Sequence, residues 1–239
     1  MAAFVTGDLH GVIEVGRLLP SHFPMGSALT KDDFLIVAGD FGLVWNFSAD
    51  EMQWLDWLDA RPWTTLFVDG NHENHEALAS LPEAEWHGGR VHVARPSVLH
   101  LMRGQMFDIC GSTVFTMGGA TSVDRAARVE GRSWWPSELP SRDELDAASA
   151  VLGSCAWDVD YVVTHCCATS MMGVVEPPDG RKGPDRLTDW FDALEHRLAF
   201  RCWYFGHHHR DLAIEPDHRL LYHDVVELGG MSAVCHTTL

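Results

Sequence analysis

The chain has 239 residues, 46% of them apolar, enough to bury one large core or two small ones. No run of 18 or more apolar residues occurs, which excludes a membrane-spanning helix. Seventeen basic residues against 34 acidic ones give a formal net charge of −17, which disfavours a nucleic-acid polymer as partner but leaves room for a small anion held by local positive charge.

The first residues, "MAAFVTGDLHG", lack the basic-then-apolar pattern of a secretory signal. Residues 3–10 form a short apolar run that ends abruptly in Gly, Asp and His. Residues 34–42, 65–73, 114–122, 161–167 and 203–209 repeat this pattern. Short apolar runs closed by turn residues predict strands buried on both faces. Between them, 48–60 predicts a helix with Trp54, Leu55, Trp57 and Leu58 at helical spacing and a Ser48/Glu51 capping box. Residues 90–117 read as an antiparallel meander. A second helix is expected over 141–153, capped by Ser141 and Glu144 and stopped at Gly153. Residues 176–185, "EPPDGRKGPD", read as an exposed, mobile loop, and 185–198 as a third amphipathic helix. Residues 212–228 read as two strands around a Pro216–Asp217 turn. With no internal repeat or linker, one α/β domain over residues 1–239 is expected, with antiparallel strands added. The six cysteines form no C-x-x-C pair and read as reduced thiols of a cytoplasmic protein.

In open α/β sheets the ligand site lies beyond the carboxyl ends of the strands. Asp8 and His10, Asp40, Asn71 and His72, His165, and His207 to His209 all follow directly on predicted strands. Carboxylate, amide oxygen and imidazole together suit borderline to hard divalent ions such as Mn, Fe or Zn. Residues two apart in an extended chain face the same way. Asp8 is therefore expected to converge with His10, and His207 with His209, while His208 points elsewhere.

The fragments "GDLHG", "GDFG", "GNHE", "THC" and "GHHH" resemble, in order, the five motifs of the calcineurin-like metallophosphoesterases: D-x-H, G-D, G-N-H-[DE], H and G-H-x-H. They run from residue 7 to 209, and residues 118–141 are similar to a bacterial and phage branch of small members. The resemblance implies a two-sheet mixed β-sandwich flanked by helices. It also implies two divalent metal ions, manganese first among them, with Fe, Zn, Ni or Mg accepted by the same ligands. Asp8, His10, Asp40 and His209 would hold one ion and Asp40, Asn71, His165 and His207 the other, with Asp40 as the bridge. The implied activity is hydrolysis of a phosphomonoester or phosphodiester, a small molecule or nucleotide, by a metal-activated hydroxide. Two cations about 4 Å apart can clamp the attacking and leaving oxygens of an in-line displacement. His72 would then protonate the leaving alkoxide.

One departure bears on the substrate. The protein-phosphatase branch follows its second motif with a further Asp and an Arg, whereas here Asp40 is followed by "FGLVWN". The missing Asp removes a partner that would orient His72, and the missing Arg removes a planar clamp for a terminal phosphate. This disfavours a phosphoprotein phosphatase and tilts the reading toward a phosphodiester or nucleotide. Arg125, Arg128 and Arg132 are the candidates to supply the lost charge. Trp134 and Trp135 read as packing, and the nine histidines outside the motifs as structural or surface residues. The rival readings are a nuclease of the same superfamily and a metal-dependent binding module without turnover.

Overall fold

The computed structural model describes residues 1–176 and 183–239, so the expected loop over 176–185 falls mostly outside the described residues. Fourteen strands are defined among them. They are β1 (Ala3–Thr6), β2 (Phe34–Val37), β3 (Thr64–Phe67), β4 (Glu83–Trp86), β5 (Gly89–Arg95), β6 (Val98–Leu101) and β7 (Gln105–Ile109). There follow β8 (Ser112–Met117), β9 (Tyr161–Thr164), β10 (Cys202–Phe205), β11 (Leu212–Ile214), β12 (His218–Leu220), β13 (Asp224–Glu227) and β14 (Ala233–His236). Eight form one sheet in the order β14-β13-β1-β2-β3-β6-β5-β4, and six a second in the order β11-β12-β10-β9-β8-β7. Each has a parallel centre with antiparallel edges, as in β1-β2-β3-β6 and β8-β9-β10-β12.

The central strands β1, β2, β3, β9 and β10 are buried on both faces, which is why they read as unbroken apolar runs. Ala3 and Val5, Phe34 and Ile36, Tyr161 and Val163, and Cys202 and Tyr204 face the layer between the sheets. Their neighbours Phe4, Leu35 and Val37 face outward and pack with Leu55 and Leu58 of helix α1 (Ala49–Asp59). Val162, Trp203 and Phe205 pack on the other side. The turn of helix at His75–Ala79 is α2, and α3 is Arg142–Ser154; α4 is Met172–Val175 and α5 is Arg186–Glu195. Leu145, Ala148 and Leu152 of α3, with Leu187, Phe191 and Leu194 of α5, cover the second sheet. The result is the expected mixed sandwich flanked by helices. Among the described residues no helix is long and apolar enough to cross a membrane.

Three local expectations need correction. The meander over 90–117 is split, because β5 and β6 pair in the first sheet while β7 and β8 pair in the second. The chain crosses between sheets at Met102–Gly104, where Gly104 takes φ +67° with Ala148 packed against it. The box at Ser48 is half-formed: Ser48 Oγ accepts the Glu51 N–H. The Glu51 carboxylate turns instead to the N–H groups of Trp45, Asn46 and Phe47. Third, α3 runs through Gly153 to Ser154, and the reversal falls on Ala156 and Trp157 at φ 58° and 61°. Ser141 and Glu144 do form their box, as do Asp185 and Thr188 at α5. The turn at Glu215–Pro216 is cis and joins the expected antiparallel pair β11–β12.

The crossover also carries an ion pair. Arg103 grips the buried carboxylate of Asp69, just beyond β3, at 2.9 Å through Nε and 2.5 Å through Nη2. Burial pushes the Asp69 carboxyl up, but Arg103 and His100 more than offset it and hold it far below the usual carboxylate range. Removing one partner of a buried pair leaves an uncompensated charge. Arg103→Met is therefore expected to lower the unfolding free energy by about 3–5 kcal/mol, read from the urea midpoint. A shift below about 1 kcal/mol would show that water already reaches Asp69 and screens it.

Candidate metal centre

The carboxyl ends of β1, β2 and β3 meet those of β9 and β10 along one edge. Asp8 and Asp40, 0% and 1% exposed, lie at its centre. Asp8 Oδ2 stands 3.2 Å from His209 Nε2 but is without a hydrogen-bond partner among the described residues. Asp40 Oδ2 lies 3.5 Å from His10 Nε2, and Asp40 Oδ1 lies 3.3 Å from His165 Nε2. One ligand atom from each of Asp8, His10, Asp40 and His209 falls within 4.8 Å of all the others. On the other side of Asp40, Asn71 Oδ1 is 3.2 Å from His165 Nε2, and the His207 ring centre is 4.9 Å from that of His165. All seven sequence-predicted ligands are thus brought together.

The ring orientations fit a cation. His165 Nδ1 donates to Ala38 O at 2.9 Å, which turns Nε2 toward two more oxygens. His10 Nδ1 faces Glu14 Oε2 at 3.2 Å, again presenting Nε2 to the carboxylates. Metal-binding histidines characteristically use their second nitrogen in this way. Asn71 Nδ2 points to Ser122 Oγ at 3.3 Å, so its carbonyl oxygen turns inward. Two buried carboxylates side by side, one with an oxygen that has no hydrogen-bond partner among the described residues, call for positive charge at the centre. The field is strong. Burial alone would depress His10 and His165, yet the neighbouring Asp40 and Asp8 hold both up at about 9. The donor set therefore fits divalent metal ions.

The residues converge for a different reason from the extended-chain argument. His10, Asp40, His207 and His209 are left-handed, with φ of 45°, 47°, 69° and 49°. Four of the seven donors thus sit on tight reversals, each costing of order 1–2 kcal/mol for a non-glycine residue. The flanking glycines are needed because the loops pass over the carboxylates. A Cβ at Gly70 would stand 2.1 Å from Asp40 Oδ1, and one at Gly206 2.2 Å from Asp8 Oδ1. As expected, His208 points away, to Glu176 and, at 3.5 Å, Cys167 Sγ.

Beside the donors is a cavity of about 250 Å³ lined by Asp40, His72, Asp124 and Arg128, among others. The His72 backbone N–H donates to Asp40 Oδ1 at 2.6 Å, and Arg128 Nη2 reaches 3.3 Å from the His72 ring nitrogens. Burial lowers the His72 pKa, and Arg128 works in the same direction against Asp40. Of the three candidate arginines only Arg128 lines this cavity. Arg125 lines a neighbouring one that touches His207 and His208. Arg132 is exposed and lines neither, because the turn over 129–134 carries it outward. Trp135 packs edge-on against Trp45 at 5.3 Å, as a packing residue should.

Sequence reasoning missed the supporting residues. Arg17, 1% exposed, donates to the carbonyls of Gly7, Asp8 and Tyr222 and pins the first motif loop. Tyr222 stacks on His209 at 4.8 Å and donates to Glu14 Oε1 at 2.6 Å. Glu73, fully buried, accepts the N–H groups of Phe41 and Gly42 and so ties the second loop to the third. Burial and the nearby Asp40 and Asp69 push its carboxyl well above the usual range. Glu14, four residues after His10, and Glu73, within "GNHE", had a signal in their spacing; Arg17 and Tyr222 are joined across 205 residues and had none.

The family model for calcineurin-like phosphoesterases matches residues 1–211. Comparison with curated proteins gives no match. Among solved structures, the chain is similar to a phosphopantetheinyl hydrolase from Mycobacterium tuberculosis, at 19% identity over 92% of this chain and 88% of that one, with a TM-score of 0.46. It is also similar to a protein of unknown function from Aquifex aeolicus, at 12% identity over 83% and 87% of the two chains, with a TM-score of 0.37. The family match spans all five motif segments, and the chain belongs to the calcineurin-like phosphoesterases, which are metal-dependent hydrolases of phosphate esters.

Proposed function

We propose that this chain hydrolyses phosphomonoesters of small molecules at a two-metal centre, with manganese as the working ion. The observation that carries the proposal is the convergence of Asp8, His10, Asp40 and His209 around the orphaned Asp8 oxygen, beside a cavity containing His72 and Arg128. Asp8, His10, Asp40 and His209 would hold one ion, and Asn71, His165 and His207, together with Asp40, would hold the other. Bound there, the metals would supply Lewis acidity, acidifying water toward neutral pH and neutralising charge on the phosphoryl group.

The remaining roles belong to the chain. Glu14 and the Ala38 carbonyl keep the His10 and His165 rings turned so that Nε2 faces inward. Arg128 offers its guanidinium to the phosphoryl oxygens. It restores from residue 128 the positive charge that the second motif lacks, and this moves the reading from diester to monoester. Asp124, paired with Arg128 at 2.7 Å, fixes the guanidinium in place. His72 delivers a ring proton to the departing oxygen. A phosphate dianion seated between Arg128 and His72 brings the negative charge that lets the imidazole hold that proton.

Three outcomes follow. Asp40→Asn should cut manganese-dependent hydrolysis of nitrophenyl phosphate by about a hundredfold or more and reduce bound metal per chain. Unchanged turnover and metal content would remove Asp40 from the centre. His72→Gln should lower kcat by about 10²–10⁴-fold on an alkyl phosphate and far less on nitrophenyl phosphate, whose leaving group needs no proton. Equal losses on both would make His72 a binding residue instead. Arg128→Ala should raise KM for monoesters by roughly 10- to 100-fold, the value of one hydrogen bond to a charged group, and leave bis(nitrophenyl) phosphate nearly unaffected. A loss confined to the diester would reverse the assignment.

A further inference from the structure

His72 and His209 also line a second, larger cavity of about 520 Å³. Val12, Ile13, Trp45 and Tyr222 contribute apolar wall. Val12 and Ile13 belong to the short turn after His10 and are 47% and 72% exposed. Two adjacent β-branched side chains held toward solvent at the rim of a site form an apolar surface without its cover.

The charged side chains of this cavity are already engaged. Glu14 accepts the Tyr222 hydroxyl at 2.6 Å and faces His10 Nδ1 at 3.2 Å. Glu51 accepts the N–H groups of Trp45, Asn46 and Phe47. Hydroxyl groups of a sugar or nucleoside laid against Val12 and Ile13 would lose water without gaining a partner from these side chains, which is unfavourable. Hydrocarbon entering here would cover surface that water now wets.

We infer that the substrate is a phosphomonoester of an apolar alcohol, whose carbon portion lies against Ile13, Trp45 and Tyr222 while its phosphate faces Arg128. The inference rests on the phosphoesterase reading and extends it to the leaving group. His72 lines both cavities, so it stands between the phosphate and the departing alcohol. The bond broken joins phosphorus to the alcohol oxygen, and the bond formed joins phosphorus to the oxygen of water. The alkoxide takes the His72 proton and water's proton passes to solvent, giving inorganic phosphate and a neutral alcohol.

The test is kcat/KM of the manganese-loaded full-length protein on n-alkyl phosphates from ethyl to octyl, below their micelle concentrations. Alcohol acidity hardly changes along this series, so a gradient reports burial of the chain. The expected result is a rise of about fourfold per added methylene until the cavity is filled. Glucose phosphate and adenosine monophosphate should fall below hexyl phosphate. Ile13→Asp, at an exposed position that the fold tolerates, should flatten the gradient, and Trp45→Ser should do the same. A flat series, a gradient that survives both substitutions, or a preference for glucose phosphate or adenosine monophosphate would overturn the inference and leave the phosphoesterase reading standing. No turnover of any ester, nitrophenyl phosphate included, would overturn both.

Discussion

Two carboxylates with no contact to bulk water, Asp8 and Asp40, set the terms for this molecule. A buried carboxylate is costly unless its charge is answered nearby, and two of them side by side raise the cost further. The answer available within the chain is partial. The His207 and His72 backbone N–H groups take one oxygen of each carboxylate, and the rings of His10, His165 and His209 surround the rest. One Asp8 oxygen has no hydrogen-bond partner among the described residues. The fold thus gathers two carboxylates and their imidazole neighbours in one buried place, a donor set that suits added cations. Strained backbone at four donors shows that the surroundings, and not local preference, impose the arrangement.

That imposition comes from residues outside the donor set. Arg17 holds the first motif loop by its carbonyls, Glu73 holds the second by its N–H groups, and Asp69 with Arg103 anchors the approach to the third. Each is a buried polar group spent on loop position. Tyr222 extends the same logic to the rings, joining His209 by stacking and His10 through Glu14.

Much of this was legible in the sequence. Apolar runs ending in Gly, Asp or His located six strands, because a strand covered on both faces has no polar alternation to obscure it. The same endings located the seven donors. What could not be read was pairing over distance. The apparent meander over 90–117 belongs to two sheets, since β6 finds a parallel partner in β3 and the chain then turns away at Gly104. Local spacing carries no record of that choice. Nor does it mark Arg128 above Arg125 and Arg132, for their separation depends on how the 124–134 loop folds back over His72. The extended-chain argument paired the correct residues for the wrong reason, since left-handed turns, not a straight strand, bring each pair together.

The donors are divided between the sheets, with Asp8, His10, Asp40 and Asn71 beyond strands of the first and His165, His207 and His209 beyond strands of the second. An ion between them would therefore act as a rivet through the seam, and its affinity would depend on how well the two halves close. It also orders events in time. The Asp8 carboxylate meets residue 207 across 199 positions. A ribosome would have to release the chain through residue 207 before the seam could shut. Until then the early carboxylates would be bare side chains on an open surface, with little power to hold a metal ion.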